Sequence, residues 1–136
     1  ELLGSRFIAH PPNMSIKVKV NDKTHPITKD LNDFEIFDEP YYCEFSDSIN
    51  ILLESRYTDD ADAYVNSSWK EDIPRPQMYL HEVGKGGVLY LMLGHCRGKY
   101  DMRPFMDECP VDRGGWDSEV FYELLRRGIK WGINKI

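Results

Sequence analysis

The stretch GGVLYLMLGHCRGKYD, residues 86–101, constrains the fold most, because it contains the longest apolar run of the chain. That run, Val88 to Leu93, has the length of a buried strand and falls far short of the ~20 residues that a membrane-spanning helix needs. It ends in Gly94, His95 and Cys96, which contribute little to a hydrophobic core. We therefore expect a central strand of an α/β sheet, where Gly94 lets the chain turn and His95 lies at the strand end.

Strand patterns also occur before this stretch. The segments SIKVKV, FEIFDE, SINILLESRY and QMYLHEV show the alternation or the short apolar runs of strands. The sequence VGKGG joins the last of them to the apolar run, and its glycines predict a hairpin. A phosphate-binding loop is not expected there, because the GxxxxGKS/T spacing is missing and no helix follows. The break HPPN and the polar segments at 21–33, 58–76 and 97–116 are predicted to be connections.

The sequence DSEVFYELLRRGIKWGINKI, residues 117–136, predicts one long helix at the end of the chain. We expect Asp117 as its N-cap. One face of the helix carries Phe121, Leu124, Leu125, Gly128 and Gly132. Residues 1–7 are expected to be the end of another helix, closed by Gly4. Two helices are too few to cover both faces of an α/β sheet, so we expect another chain, a missing N-terminal half or an exposed sheet face.

The bulk properties fit one globular domain over residues 1–136, with 41% hydrophobic and 29% charged residues. The formal net charge of −6 argues against nucleic acid as a partner, and no membrane association is expected. The three cysteines lack a CxxC pair, and no signal peptide is visible, so we expect reduced thiols in a cytoplasmic protein. The chain begins without methionine, which suggests a fragment of a longer protein.

Histidine is the first side chain to test for chemistry, since its pKa of about 6.5 allows proton transfer near neutral pH. His10 and His25 each precede a proline, which favours rigid, extended loop backbone. His95 ends the apolar strand, whereas His81 lies within a strand and is expected to be structural. No two histidines have the i, i+4 spacing of a helical metal site, so we predict neither a metal nor another cofactor.

Cysteine chemistry is not expected. Neighbouring residues of a strand point to opposite faces, so His95 and Cys96 are not expected to form a dyad. We expect inert thiols at Cys43, Cys96 and Cys109. The aromatic residues Tyr41, Tyr42 and Trp69 would either stack on a sugar ring or pack within the protein.

Four segments, in order along nearly the whole chain, resemble motifs of the ThuA-like family, which is named for trehalose utilisation. GSRFIAHPP is similar to the family's GGRFxGHPP, and KTHPITKDLNDFEIFDEPYY to its DHPITRGLPDFEVxDELYY. YLHEVGKGGVLYLMLGHC resembles xxxYGKGRVFYxxLGH, and FYELLRRGIKWGI resembles the closing FRRLLLRGIRWAA. The resemblance implies the class I glutamine amidotransferase-like α/β fold with a flavodoxin-like sheet, and a link to disaccharides such as trehalose or their oxidised forms.

The resemblance also implies a site. His10 corresponds to the histidine of GHPP, His25 to that of HPIT, Glu39 to the glutamate of DELYY and His95 to the histidine of LGH. These side chains would meet in a cleft beyond the strand ends, where open α/β sheets bind ligands. In the amidotransferase relatives a histidine at a late strand end assists a cysteine nucleophile, and His95 resembles that residue in position.

The chain also departs from the family. It contains only the C-terminal portion of the family domain, and the absent N-terminal half holds the first parallel strands and the turn that carries the amidotransferase nucleophile. Pro40 stands where the family has leucine. Glutaminase chemistry is therefore not expected.

Three functional hypotheses follow. In the first, the chain binds or transforms a sugar, with His10, His25, Glu39 and His95 as the polar, catalytic cluster. In that hypothesis Tyr41, Tyr42 or Trp69 forms a stacking wall. In the second, the chain is an inactive binding module or homo-oligomer, such as a homodimer, whose exposed sheet face is covered by another copy. In the third, the same polar cluster supports metal-dependent hydrolysis.

Overall fold

The structure is a computed structural model that describes residues 2–58 and 71–136. Within these ranges the chain forms seven strands: β1 (Ser5–Ala9), β2 (Met14–Val20), β3 (Phe34–Asp38), β4 (Tyr42–Phe45), β5 (Ile49–Ser55), β6 (Arg75–Val83) and β7 (Gly86–Leu91). A 3₁₀ helix (Gly114–Asp117) leads into the helix α1 (Glu119–Gly132). The expected strand-rich α/β fold with a C-terminal helix is confirmed. Most of the predicted connection at 58–76 lies outside the described residues.

The strands form a five-stranded sheet in the order β3-β2-β5-β6-β7 and a separate pair, β1-β4. Every pairing between the strands described is antiparallel, so hairpins and loops make the connections. The expectation that the apolar run is a central strand is wrong, because β7 is the last strand in this order. Its apolar residues are half-buried against α1, where an added Cβ at Gly128 would lie 2.8 Å from Leu89.

The alternation in β2 determines which of its residues enter the core. Ile16, Val18 and Val20 are buried, whereas Lys17 and Lys19 between them are exposed. Each buried aliphatic side chain contributes about 1.5–3 kcal/mol relative to its exposed state. The prediction of a strand from the pattern of SIKVKV is therefore confirmed.

The C-terminal helix packs the expected side on the sheet, but it begins one residue later than predicted. Phe121 and Leu124 are buried in the main core. The N-cap is Ser118, and Asp117 belongs to the 3₁₀ helix, so the prediction of Asp117 as N-cap is wrong. Asp117 instead accepts a hydrogen bond from Nε of Arg113 at 2.7 Å. Among the described residues, no helix is long and apolar enough to cross a lipid bilayer.

The front of the chain is a strand, so the expectation of a helix end over residues 1–7 is wrong. Gly4 has a φ of +72°, and the chain then enters β1. This strand pairs with β4, a strand that the sequence analysis did not predict. Both strands are short and lack clear alternation, and besides their mutual pairing they are held by contacts with β6, such as the hydrogen bond from the Tyr79 hydroxyl to Oγ of Ser5 at 2.7 Å.

Glycine allows two sharp changes of direction at β7. The predicted hairpin is confirmed, because Val83 pairs with Gly86 and Gly84 has a φ of +59°. Beyond β7, Gly94 has a φ of +102°, and an added Cβ would lie 2.5 Å from Cζ of Phe121. A side chain at this position would be both strained and overpacked. The segment that carries His95 therefore depends on glycine at position 94.

Candidate functional site

A cavity of about 490 Å³ lies where β1, β4 and β7 meet the segments that follow β3 and β7. Its walls combine apolar, aromatic and ionisable side chains. The lining residues are Leu3, Ser5, Phe7, His10, Glu39, Tyr41, Cys43, Tyr90 and His95. The volume falls within the ~300–1,000 Å³ of small-molecule sites.

Glu39 is the polar centre of this cavity. Its side chain is only 5% exposed, and its carboxylate lies between two imidazoles. Oε2 is 3.2 Å from Nδ1 of His10, and Oε1 is 3.3 Å from Nδ1 of His95. A guanidinium nitrogen of Arg97 lies 3.6 Å from Oε2. Burial of a carboxylate is costly unless it is paired, so these three neighbours compensate for the lost solvation.

The acceptors around each imidazole indicate which nitrogen carries a hydrogen. Nδ1 of His10 is near two acceptors, the carboxylate of Glu39 and the carbonyl oxygen of Pro11 at 3.0 Å. Nδ1 of His95 is near Glu39 and, at 3.4 Å, the hydroxyl oxygen of Tyr41. The carbonyl oxygen and the carboxylate only accept hydrogen bonds, so we infer that Nδ1 of His10 carries a hydrogen, and the adjacent carboxylate favours the same tautomer at His95. In the neutral imidazole Nε2 is then the proton acceptor.

Nε2 of His95 is buried and has no hydrogen-bond partner among the residues that the structure describes. A buried polar atom without a partner costs about 1–3 kcal/mol, and such atoms are rare in folded proteins. Nε2 itself is not exposed to the cavity that His95 lines, so a bound molecule would reach this atom only after the ring shifts.

Tyr41 is held in place and kept neutral. The hydroxyl group of Tyr57 donates a hydrogen bond of 2.5 Å to the backbone carbonyl of Tyr41. Burial, and next the negative charge of Glu39, raise the pKa of Tyr41 to about 12. The phenol therefore retains its proton at neutral pH. Its ring packs edge-on against Phe7, with 5.3 Å between the centroids, and both rings line the cavity.

Cys43 also lines the cavity, but its thiol is unsuited to nucleophilic attack. Burial raises the pKa of Cys43 to about 11, and a nucleophilic cysteine requires the thiolate. The surroundings of Cys43 therefore agree with the expectation of an inert thiol. The described residues include no group of three or more His, Cys, Asp or Glu side chains arranged to hold a metal ion.

The structure brings together His10, Glu39, His95 and Tyr41, but not the other candidates. His25 is not among the residues that line the cavity, and its Nδ1 accepts a hydrogen bond from the backbone of Ile27 at 3.2 Å. Tyr42 has no exposed surface, and its ring packs 4.5 Å from the guanidinium of Arg75. Tyr42 is thus a core residue and not part of a stacking wall. Trp69 lies outside the described residues.

Four residues of the site were not selected from the sequence. Phe7 and Tyr90 contribute aromatic walls, and Arg97 contributes the positive charge beside Glu39. Asp38 lies below the cavity, where it accepts hydrogen bonds from the backbone of both Glu39 and His95. The alternation of Phe34, Ile36 and Asp38 was a usable signal, because it predicts a carboxylate on the buried face of β3.

Comparisons with known proteins identify the family. A family model for ThuA, described as trehalose utilisation, matches residues 1–109. The fold is similar to the crystal structure of a ThuA-like protein from Parabacteroides merdae, with a TM-score of 0.67 and 22% sequence identity. That match covers 95% of this chain and 40% of the other, so the chain spans less than half the length of this relative. No curated protein matches the chain. The chain belongs to the ThuA family of trehalose utilisation proteins.

Proposed function

We propose that the cavity binds a small carbohydrate, such as trehalose or a related disaccharide, and that Glu39, His10 and His95 transfer protons there. The observation that carries this proposal is the position of Glu39, buried between two Nδ1 atoms at 3.2 and 3.3 Å. Carboxylate–imidazole pairs of this kind orient the ring and leave Nε2 as the proton acceptor.

The cavity walls support a carbohydrate in particular. Phe7, Tyr41 and Tyr90 supply aromatic surface, and the polar groups of Glu39 and the two histidines line the same cavity. Sugar rings have apolar faces and hydroxyl edges, so they match a wall of aromatic rings beside a few convergent polar groups. In this proposal a shift of the His95 ring on ligand binding exposes the buried Nε2, which accepts a proton from a sugar hydroxyl while Nδ1 stays beside Glu39.

The test is an NMR titration of the full chain with trehalose, in which the side-chain nitrogens of the four histidines are observed. We expect the resonances of His10 and His95 to shift with saturation. His25 and His81 lie outside the cavity lining and serve as internal controls. Maltose and glucose test the preference for the disaccharide, and glycerol tests whether any polyol suffices. Unchanged signals from both His10 and His95 would rule out the proposal.

A second role, self-association, is favoured by an apolar groove between β7 and α1. The groove has a volume of about 340 Å³, and its lining includes Leu89, Leu91, Leu125 and Ile129. Because β7 ends the order of described strands, we propose that a second copy of this chain covers β7 and the groove. Sedimentation should show a dimer at high micromolar concentration, and a strictly monomeric mass there would exclude this role.

A matched pair of variants tests this interface. Ile129→Lys places a charge in the groove and should shift the mass to that of the monomer. Ile133 is similarly exposed but does not line the groove, so Ile133→Lys should leave the dimer intact. Equal effects of the two variants would show that the groove is not the contact.

A further inference from the structure

We propose that Asp38 is the positioning residue of the cavity, and that its carboxylate fixes Glu39 and His95 relative to each other. This inference rests on the proposed function, because it assigns Asp38 to the pair that would transfer protons. Asp38 has no exposed surface and does not line the cavity, so it acts through its neighbours and not on a ligand.

The carboxylate of Asp38 joins three separate parts of the chain. Oδ1 accepts hydrogen bonds from the backbone N–H of Glu39 at 2.8 Å and of His95 at 3.0 Å. Oδ2 accepts from the backbone N–H of Gly94 at 2.6 Å and of Gly115 at 3.2 Å. These donors come from the end of β3, the segment after β7 and the 3₁₀ helix before α1.

The chemistry of this contact requires a carboxylate. An ionised aspartate accepts hydrogen bonds at both oxygens and donates none, so it matches a set of backbone donors. Hydrogen bonds to a charged acceptor are about twice as strong as those between neutral groups. In asparagine an NH₂ group, which cannot accept a hydrogen bond, replaces one carboxylate oxygen, so two of the four backbone N–H groups would lose their acceptor.

The geometry at Oδ1 connects Asp38 to the site. A single atom accepts the backbone N–H of both Glu39 and His95, so it fixes the distance between their main chains. The side chains of the same two residues then meet at 3.3 Å. β3 and β7 lie at opposite ends of the strand order, so no sheet hydrogen bond holds these segments together.

Glycine residues make room for the carboxylate. A Cβ added at Gly115 would lie 2.7 Å from Oδ2 of Asp38, too close for ordinary contact. The backbone of Gly115 approaches the carboxylate closely enough to donate its N–H only because it has no side chain. The neighbouring Gly114 has a φ of +45° and lies under His95, where a Cβ would meet the carbonyl oxygen at 2.3 Å.

The first experiment uses the unmodified chain. We expect scalar couplings across the hydrogen bonds between the carboxyl carbon of Asp38 and the backbone nitrogens of Gly94 and His95.

The second experiment uses the variant Asp38→Asn and determines the tautomer of His95 from the chemical shifts of its ring nitrogens. The groups that face or adjoin this imidazole are Glu39 and the Tyr41 hydroxyl, with Arg97 beside the carboxylate. The variant Glu39→Ala provides the reference ring-nitrogen shifts of His95 in the absence of the Glu39 carboxylate.

In folded Asp38→Asn, the ring nitrogens of His95 should move most of the way towards their positions in Glu39→Ala. Asp33→Asn is the control, because Asp33 accepts one backbone N–H, from Val20, at an exposed position. A folded Asp38→Asn with unchanged His95 signals would overturn the inference, as would missing couplings in the unmodified chain. None of these measurements requires a ligand, so a failure of trehalose to bind would contradict the proposed function alone.

A second variant decides the question if Asp38→Asn does not fold. Gly115→Ala retains the carboxylate but displaces it, and should shift the His95 signals in the same direction. Gly132→Ala is its control, because an added Cβ there meets no atom within 4 Å. Unchanged His95 signals in Gly115→Ala would count against the positioning role, since they would show that moving Asp38 leaves the pair intact.

Discussion

Glu39 Oε1 lies 3.3 Å from Nδ1 of His95, which joins a carboxylate just after β3 to an imidazole just after β7. The two strands are at opposite ends of the five-stranded order, so the contact depends on how the segments beyond the strands fold back. His10 approaches the other oxygen of Glu39 from the end of β1. The cluster of His10, Glu39 and His95 is therefore built from three segments that follow β1, β3 and β7, and each segment contributes one of the three side chains.

The charge of Glu39 should be required for ligand binding. Glu39→Gln keeps the size of the side chain but replaces a charged acceptor with a neutral amide. Hydrogen bonds to charged groups are worth about 1.5–3 kcal/mol, so trehalose affinity measured by calorimetry should fall about 10- to 100-fold. Glu35→Gln, on the exposed side of β3, is the matched control. Equal affinities of Glu39→Gln and the unmodified chain would contradict this role.

The phenol of Tyr41 should make stability fall at alkaline pH. Its pKa is raised to about 12 by burial, whereas a tyrosine in the unfolded chain ionises near pH 10. Between these values the unfolded state has lost a proton that the folded state retains, so the free energy of unfolding decreases as pH rises. Denaturant unfolding from pH 9 to pH 12 should show this decrease, and Tyr41→Phe should make it shallower. An identical decline in Tyr41→Phe would show that other groups cause it.

Glycine at position 94 should be essential for the stability of the fold. In Gly94→Ala the new Cβ would be 2.5 Å from Phe121 at a backbone φ of +102°. Overpacking and backbone strain together should lower the free energy of unfolding by about 2–4 kcal/mol, measured by denaturant titration. Gly132→Ala, in open space at the end of α1, should change it by less than about 1 kcal/mol. A loss in Gly94→Ala no larger than in this control would refute the packing argument.

The three thiols should react with iodoacetamide at different rates. Cys96 is exposed, whereas Cys43 and Cys109 are buried. Burial also raises the pKa of Cys43 to about 11, which keeps its thiolate scarce at neutral pH. Mass spectrometry of the native chain should show alkylation of Cys96 first, and all three thiols should react in denaturant. Early modification of Cys43 would indicate a reactive thiol in the cavity and reopen cysteine chemistry.

The sequence by itself predicted most of the strands and the C-terminal helix, since their patterns are local. In β2, apolar residues alternate with lysines, and in α1, Phe121 and Leu124 recur on one face. Alternation and helical periodicity depend on neighbours a few residues apart, so they can be read without knowledge of the tertiary structure. The resemblance to family motifs predicted that His10, His25, Glu39 and His95 would lie together; the other three do, whereas His25 does not line the cavity.

Only the tertiary structure decided which strands are neighbours and which candidates reach the cavity. β1 pairs with β4, and β7 lies at one end of the order of described strands, because pairing is set by long-range contacts. Tyr41 and Tyr42 are adjacent in sequence, yet one lines the cavity and the other is buried beside Arg75. The hydrogen bonds of Asp38 could not be predicted from the sequence for the same reason, because their backbone donors come from three segments that only the folded chain brings together.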